Sequence, residues 1–165
     1  MNDNDFSAAV SERRFGGIAR LYGADALNRF AAAHVCVVGV GGVGSWAVEA
    51  LARSGIGALT LIDLDNVAES NVNRQLHALT CDFGKAKVTA LHERILQINP
   101  ACRVTEIEDF VTEDNLPVLF RRPFDFVIDA IDQMRVKAAM AAYFVRYGQP
   151  FILSGGAGGQ KNPAL

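Results

Sequence analysis

Residues 34–65, HVCVVGVGGVGSWAVEALARSGIGALTLIDLD, read as a strand, a glycine turn, a helix and a second strand in direct succession. Val35, Val37, Val38 and Val40 form a β-branched run of the kind found in strands buried on both faces of a parallel sheet. Gly39, Gly41, Gly42 and Gly44 break it. A helical pattern follows through Val43, Ala47, Ala50 and Leu51 and stops at Ser54-Gly55, where a C-terminal glycine belongs. The second strand, Leu59 to Ile62, ends on Asp63. This is a βαβ unit whose first turn reads Gly39-x-Gly41-x-x-Gly44, with an acid about 20 residues further on, as a dinucleotide fold requires. Missing Cβ atoms let the turn approach a phosphate and let the helix pack close to the strand, while the helix amides and dipole favour negative charge. Asp63 is placed to accept hydrogen bonds from a ribose. The turn by itself indicates only a ligand with ribose and phosphate; a purely structural glycine turn is the alternative.

With 165 residues, half of them hydrophobic and 21% charged, the chain fits one globular domain with a substantial core. No apolar run approaches the roughly 18 residues of a membrane span, and the acidic start MNDNDFSAAV lacks the basic-then-apolar layout of a secretory signal. A cytoplasmic protein with no membrane partner is expected. Three cysteines, Cys36, Cys81 and Cys102, are too few and scattered for a disulfide framework, and no C-x-x-C pair suggests a zinc site. Cys36 and Cys102 read as small buried hydrophobes and Cys81 as the one exposed thiol. A net charge of −2 gives no overall attraction to nucleic acid, though it leaves room for a local basic patch.

Outside the βαβ unit, residues 6–32 read as two helical pieces, with Arg13, Arg14 and Arg20 around Phe15-Gly16-Gly17. These arginines are either a solvated helical face or a phosphate contact, in their own subunit or a partner's. After Asp65 the polar excursion NVAESNVNRQLHALTCDFGK loses hydrophobic periodicity, which marks a functional loop or a short irregular helix. A helix is expected from Lys85 to Ile98, so that Lys85 and Lys87 lie in its first turn, where a cation calls for an anion. Further strands are expected at Arg103 to Ile107, Phe124 to Ile128 and Phe151 to Leu153, with helices at Glu113 to Phe120 and Met134 to Tyr147. Asp129-Ala-Ile-Asp132 closes the fourth strand at its carboxyl end, the end at which open parallel sheets bind ligands. Asp132 is placed to hold a metal ion on phosphates, while Asp129, nearer the strand, reads as structural. The fold class is thus α/β, a Rossmann-like, doubly wound, mainly parallel sheet. Residues 1–33 form an N-terminal helical segment on the core, and 34–165 the nucleotide-binding domain.

The glycine turn, Asp63, Asn71, Arg74, Lys87 and Asp132 offer more cations and acids than a dinucleotide needs. A triphosphate with Mg²⁺ would use them all, Mg²⁺ being held by one or two carboxylates plus phosphate oxygens and water. Arg74 and Lys87 would neutralise charge on a pyrophosphate leaving group. There is no G-x-x-x-x-G-K-[ST] loop, which disfavours a P-loop ATPase. An NAD-dependent dehydrogenase and a non-catalytic binding module remain as other classes.

The segments GVGGVGS, LIDLDNVAESNVNRQ, GKAKV and VIDAID, in this order and spacing, resemble the adenylylating domain shared by ubiquitin-activating enzymes and the ThiF and MoeB sulfur-carrier activators. The resemblance implies an ATP site lined by Gly41 and its neighbours, with Asp63 on the ribose, Asn71, Arg74 and Lys87 on the phosphates and Mg²⁺ on Asp132. It implies activation of a carboxylate by attachment of AMP with release of pyrophosphate. Within the family, RFGGIARLYG, AIDQ and the terminal GGAGGQ are most similar to the branch that dehydrates threonylcarbamoyladenosine in tRNA. Activation of the C-terminal glycine of a ubiquitin-like sulfur carrier is the alternative, with a carrier protein as partner. The family also implies a homodimer in which an N-terminal arginine reaches the neighbouring subunit's ATP. Ungapped alignment puts Gly17 at that position, which leaves Arg14 or Arg20 as substitutes, Arg14 being favoured. Family chains normally continue past the equivalent of Leu165, so the C-terminal part of the family fold is expected to be absent from this sequence.

Overall fold

The computed structural model describes residues 3–155, with side chains from residue 13 onward; the glycine-rich stretch after Gly155 lies outside the described residues. Two helices lead, α1 (Asp3–Tyr22) and α2 (Ala24–Ala32). They are followed by β1 (His34–Val38), α3 (Gly44–Arg53), β2 (Ala58–Ile62), α4 (Lys87–Ile98) and β3 (Arg103–Ile107). The chain then forms α5 (Leu116–Leu119), β4 (Phe126–Asp129), α6 (Met134–Tyr147) and β5 (Phe151–Leu153). The sheet has five parallel strands in the order β3-β2-β1-β4-β5. Order therefore reverses between β1 and β4, and a crevice opens there beyond the carboxyl ends of the strands.

Side chains alternate across each strand, so the hydrophobic run of β1 feeds two cores at once. Val35 and Val37, with Leu59 and Leu61 of β2, pack against Val48 and Ala52 of α3 and Val88, Leu91 and Ile95 of α4. Cys36, Val38 and Val127 face the other way, onto Met140 and Phe144 of α6 and Leu116 and Phe120 around α5. That double burial explains why β1 and β2 read as continuous apolar runs, unlike the edge strand β3. Cys36 and Cys102 are buried and Cys81 is exposed.

Several element limits differ from the sequence reading for local reasons. The helix expected from Lys85 begins at Lys87, because Lys85 gives its carbonyl to the N–H of Val67 and Ala86 bridges to Asn66. The helix expected from Glu113 is only Leu116–Leu119, where Pro117 has no N–H to lose in a first turn. Strand β4 starts at Phe126, since the N–H of Phe124 is taken by Gln149 Oε1 at 2.9 Å. Val40 is fully buried yet lies past the end of β1.

The N-terminal helices pack at the amino end of the sheet. Phe15 and Leu27 line the space beside Gly55, and the N–H of Gly57 donates to Phe30 O at 3.0 Å. A Cβ on Gly57 would fall 1.8 Å from the Ala31 carbonyl oxygen. Gly57→Ala is therefore expected to push α2 off the sheet and destabilise the fold by at least about 2 kcal/mol, the scale of core overpacking. The fall in the urea unfolding midpoint measures it.

Candidate nucleotide site

Beyond β1 the chain turns through Gly39, whose φ is +79° and whose N–H donates to Ile62 O at 2.8 Å. A side chain is barred there twice over: the backbone is left-handed, and a Cβ would meet Ile131 Cγ2 at 2.9 Å and the Ala130 backbone at 3.1 Å. Gly44 opens α3 so close to the turn that a Cβ would lie 1.8 Å from Gly39 O. Arg74 lays its stem on Gly42, and the amide of Gln75 sits beside Gly41. The turn thus touches the excursion loop on one side and the loop after β4 on the other, with the amino end of α3 facing the crevice.

Asp63, at the end of β2, accepts the N–H of Val40 on Oδ2 at 2.8 Å and the N–H of Asp65 on Oδ1 at 2.9 Å. Asp65 in turn receives Lys87 Nζ at 2.7 Å. Lys87 is buried at the first position of α4, where the helix dipole opposes its charge, and Asp65, more than half exposed, is the anion that compensates. The excursion between them is compact rather than loose. It carries 3₁₀ turns at Glu69–Asn71 and Thr80–Asp82 and folds Val67, Ala78 and Phe83 over Ala90.

Asn71 is buried in that loop, with Oδ1 accepting the N–H of Ala68 at 3.0 Å. Arg74 is exposed, and its Nη1 donates to Ser70 O and Asn73 Oδ1. On the other wall, Asp129 is fully buried and paired with Lys137 at 2.9 Å, while Oδ1 also accepts the N–H of Ile131. Asp132, three residues past it, is exposed and has no protein hydrogen bond or ion pair among the described residues. Glycine turn, Asp63, Asn71, Arg74, Lys87 and Asp132 thus all belong to segments at the carboxyl ends of β1, β2 and β4. Among the described residues no group of three or more His, Cys, Asp and Glu side chains is arranged to hold a metal ion. A divalent ion would therefore need phosphate oxygens to complete its shell, which suits Asp132.

Arg14 is elsewhere. Its Nη1 donates to the carbonyls of Gln97 and Ile98 at 3.0 and 2.7 Å, at the carboxyl end of α4. Because α4 starts beside Asp65 and runs back along the sheet, that end lies at the opposite pole from the glycine turn. Arg14 is therefore remote from the glycine turn of its own protomer, where it caps a helix whose last carbonyls lack partners; the contact expected of it is with the ATP of a neighbouring subunit.

Comparison with known proteins now decides the family, since the ThiF family model matches residues 16–162. The chain belongs to the ThiF family. It is 59% identical over 151 residues to the tRNA threonylcarbamoyladenosine dehydratase of Escherichia coli, covering 92% of this chain and 56% of that protein. The Haemophilus influenzae protein of the same name is 53% identical, covering 92% and 58%. The sulfur carrier protein ThiS adenylyltransferase of E. coli is 32% identical, covering 97% and 62%. The chain thus spans a little over half the length of the curated relatives it matches. The crystal structure of the E. coli dehydratase, TcdA, in complex with ATP superposes with a TM-score of 0.90 at 58% identity, covering 93% of this chain and 63% of that one.

Sequence reasoning passed over four side chains of this ThiF-family site as ligand-facing or positioning groups. Asp65 is two residues beyond Asp63, and only the folded loop shows that it holds Lys87. Gln75 is buried beside Gly41 with Oε1 unpartnered, and Lys137 reaches Asp129 from the first turns of α6. His77 is 2% exposed with neither ring nitrogen bonded.

Burial, reinforced by the charge of Lys87 and opposed by Asp82, lowers the pKa of His77 to about 4. The native state therefore holds His77 neutral while the unfolded chain takes up a proton below about pH 6.5. Its contribution to stability is complete above that pH and declines by up to about 1.4 kcal/mol per pH unit on the way down to about pH 4. Chemical denaturation from pH 7.5 to 4.5 is expected to show a steeper loss for the wild type than for His77→Leu.

Proposed function

We infer that this chain is the ATP-binding part of a carboxylate-adenylating enzyme, and that the whole protein dehydrates threonylcarbamoyladenosine in tRNA. The observation that carries the reading is that the loop which lays Arg74 on Gly42 of the glycine turn leads into a helix that starts with a buried lysine, Lys87. Lys87 is held there by Asp65, and Asp132 has no ion pair among the described residues; a triphosphate with its metal ion would use Arg74, Lys87 and Asp132 together. The ATP complex of TcdA, at 58% identity, supports the choice of nucleotide.

In this reading Asp63 holds the ribose and keeps the turn in shape through Val40. Gly41 and Gly42 let phosphate oxygens approach the backbone at the amino end of α3. The substrate carboxylate attacks the α-phosphorus, the bond to the β-phosphate oxygen breaks, and pyrophosphate leaves with its charge matched by Arg74 and Lys87. A nucleophile of the same side chain then attacks the activated carbonyl carbon and displaces AMP, so that the oxygen lost from the carboxylate leaves with AMP. Mg²⁺, held by Asp132, would supply further charge neutralisation on the phosphates. Homodimerisation and a cytoplasmic setting, where tRNA is modified, belong to the same reading. Among the described residues no helix is long and apolar enough to cross a membrane.

The likeness to the ThiS adenylyltransferase over 97% of the chain favours a second reading, in which the carboxylate is the C-terminal glycine of a sulfur carrier protein. One assay separates them. The whole protein with ATP, Mg²⁺ and tRNA bearing threonylcarbamoyladenosine is expected to release AMP and yield the dehydrated nucleoside. Lys87→Ala and Asp132→Ala are each expected to lower kcat on the order of 100-fold, the usual effect of deleting one transition-state charge contact. Pyrophosphate exchange that needs a carrier protein, with no AMP release on tRNA, would replace the first reading by the second.

A further inference from the structure

The rim of the glycine turn carries a side chain that adenylation chemistry does not call on. Trp46, the only tryptophan in the chain, lies in the first turn of α3 and is 55% exposed. It is held in place all the same. Its Nε1 donates to the main-chain oxygen of Arg74 at 3.1 Å, and the neighbouring Ser45 Oγ accepts the N–H of Leu76 at 3.3 Å. Segment 74–76 is thereby fastened to the start of α3, and the indole keeps one edge bonded while ring surface stays open. Arg74 runs from that same segment over Gly42 and is exposed, its Nη1 donating to Ser70 O and Asn73 Oδ1.

A fixed, open aromatic face is what receives an unstacked base of single-stranded nucleic acid, because every base has a face on which the ring can stack. Its position suits the reaction. A carboxylate borne on a modified base can reach the α-phosphorus only if that base, with its neighbours, comes out of the stack and up to the rim. The C-terminal tail of a carrier protein brings no base and has no use for such a surface.

We propose that Trp46 is a stacking platform for a nucleobase of the RNA substrate, set beside the phosphate-binding turn and held there by the main chain of Arg74. This rests on the tRNA-directed reading above. The test combines labelled-RNA binding with tryptophan emission, using the whole protein and an anticodon stem-loop that bears threonylcarbamoyladenosine; the signal of Trp46→Phe is subtracted so that only Trp46 is read. The RNA is expected to quench that emission. Trp46→Ala is expected to weaken RNA binding roughly tenfold, within the range of one base–aromatic stack, and Trp46→Phe roughly threefold, while any change in ATP affinity, which follows the lost indole N–H bond, is the same in both.

RNA that binds without altering the emission would overturn the platform while leaving the tRNA reading intact. Equal losses in the Phe and Ala variants would overturn it too, by assigning the effect to the indole N–H tether. Full quenching by ATP alone would assign the ring to the adenine of ATP, and an emission shift on dilution without RNA would assign it to a contact between copies of the chain; either overturns the proposal. No RNA binding, together with no RNA-dependent AMP release, removes the tRNA reading and the platform with it.

Discussion

The carboxylate of Asp63 ties together two pieces of backbone just beyond the paired ends of β1 and β2. One oxygen holds the N–H of Val40 inside the glycine turn and the other holds the N–H of Asp65 at the start of the excursion. Hydrogen bonds to an ionised acceptor are stronger than neutral ones, and here they fix the end of β1 relative to the end of β2. Parallel register makes this possible, since Val38 lies opposite Ile62 and both chains leave the sheet at one level. From that clamp the remaining geometry follows: Asp65 is aimed at Lys87, and the loop that returns to Lys87 lays Arg74 and Gln75 over glycines that have no Cβ to resist them.

Two ion pairs flank the mouth, and their difference in burial separates their tasks. Lys137 and Asp129 are both shut away beneath the loop after β4, a placement that contributes little net stability but holds Ile131, and with it Ala130, against Gly39. Lys87 is buried while its partner Asp65 is more than half exposed. That pair is thus buried at the lysine and open to solvent at the carboxylate.

The opposite pole of the molecule uses arginine for a different purpose. Arg14 closes the last carbonyls of α4, and Arg53 and Arg94 converge on Glu49, whose carboxyl the Arg94 guanidinium beside it holds below the usual range. The helices α3 and α4 both end there, with their negative dipole ends and unpaired carbonyls. Arg14, Arg53 and Arg94 at the amino pole therefore complete the scaffold, while Arg74 at the carboxyl pole is exposed beside the glycine turn. Residue type alone cannot distinguish these roles, because the sign of the local helix field depends on which end of the sheet a residue reaches.

The sequence alone determined the parallel α/β class, the βαβ unit and the position of the glycine turn. Hydrophobic runs and glycine spacing are local signals, and local backbone physics turns them directly into strand, turn and helix. It also marked Asp63, Arg74, Lys87 and Asp132 as candidates, since charged residues at strand ends and helix starts are conspicuous in an apolar pattern. Only the tertiary structure decided which charges were already engaged: that Asp65 serves Lys87, that Arg14 serves α4, that Asn71 spends its oxygen on its own loop, and that Trp46 stands open beside Arg74. Apart from the local bond of Asn71, those outcomes join positions 22 to 84 residues apart, and no periodicity along the chain encodes a hydrogen bond between positions that only folding brings together.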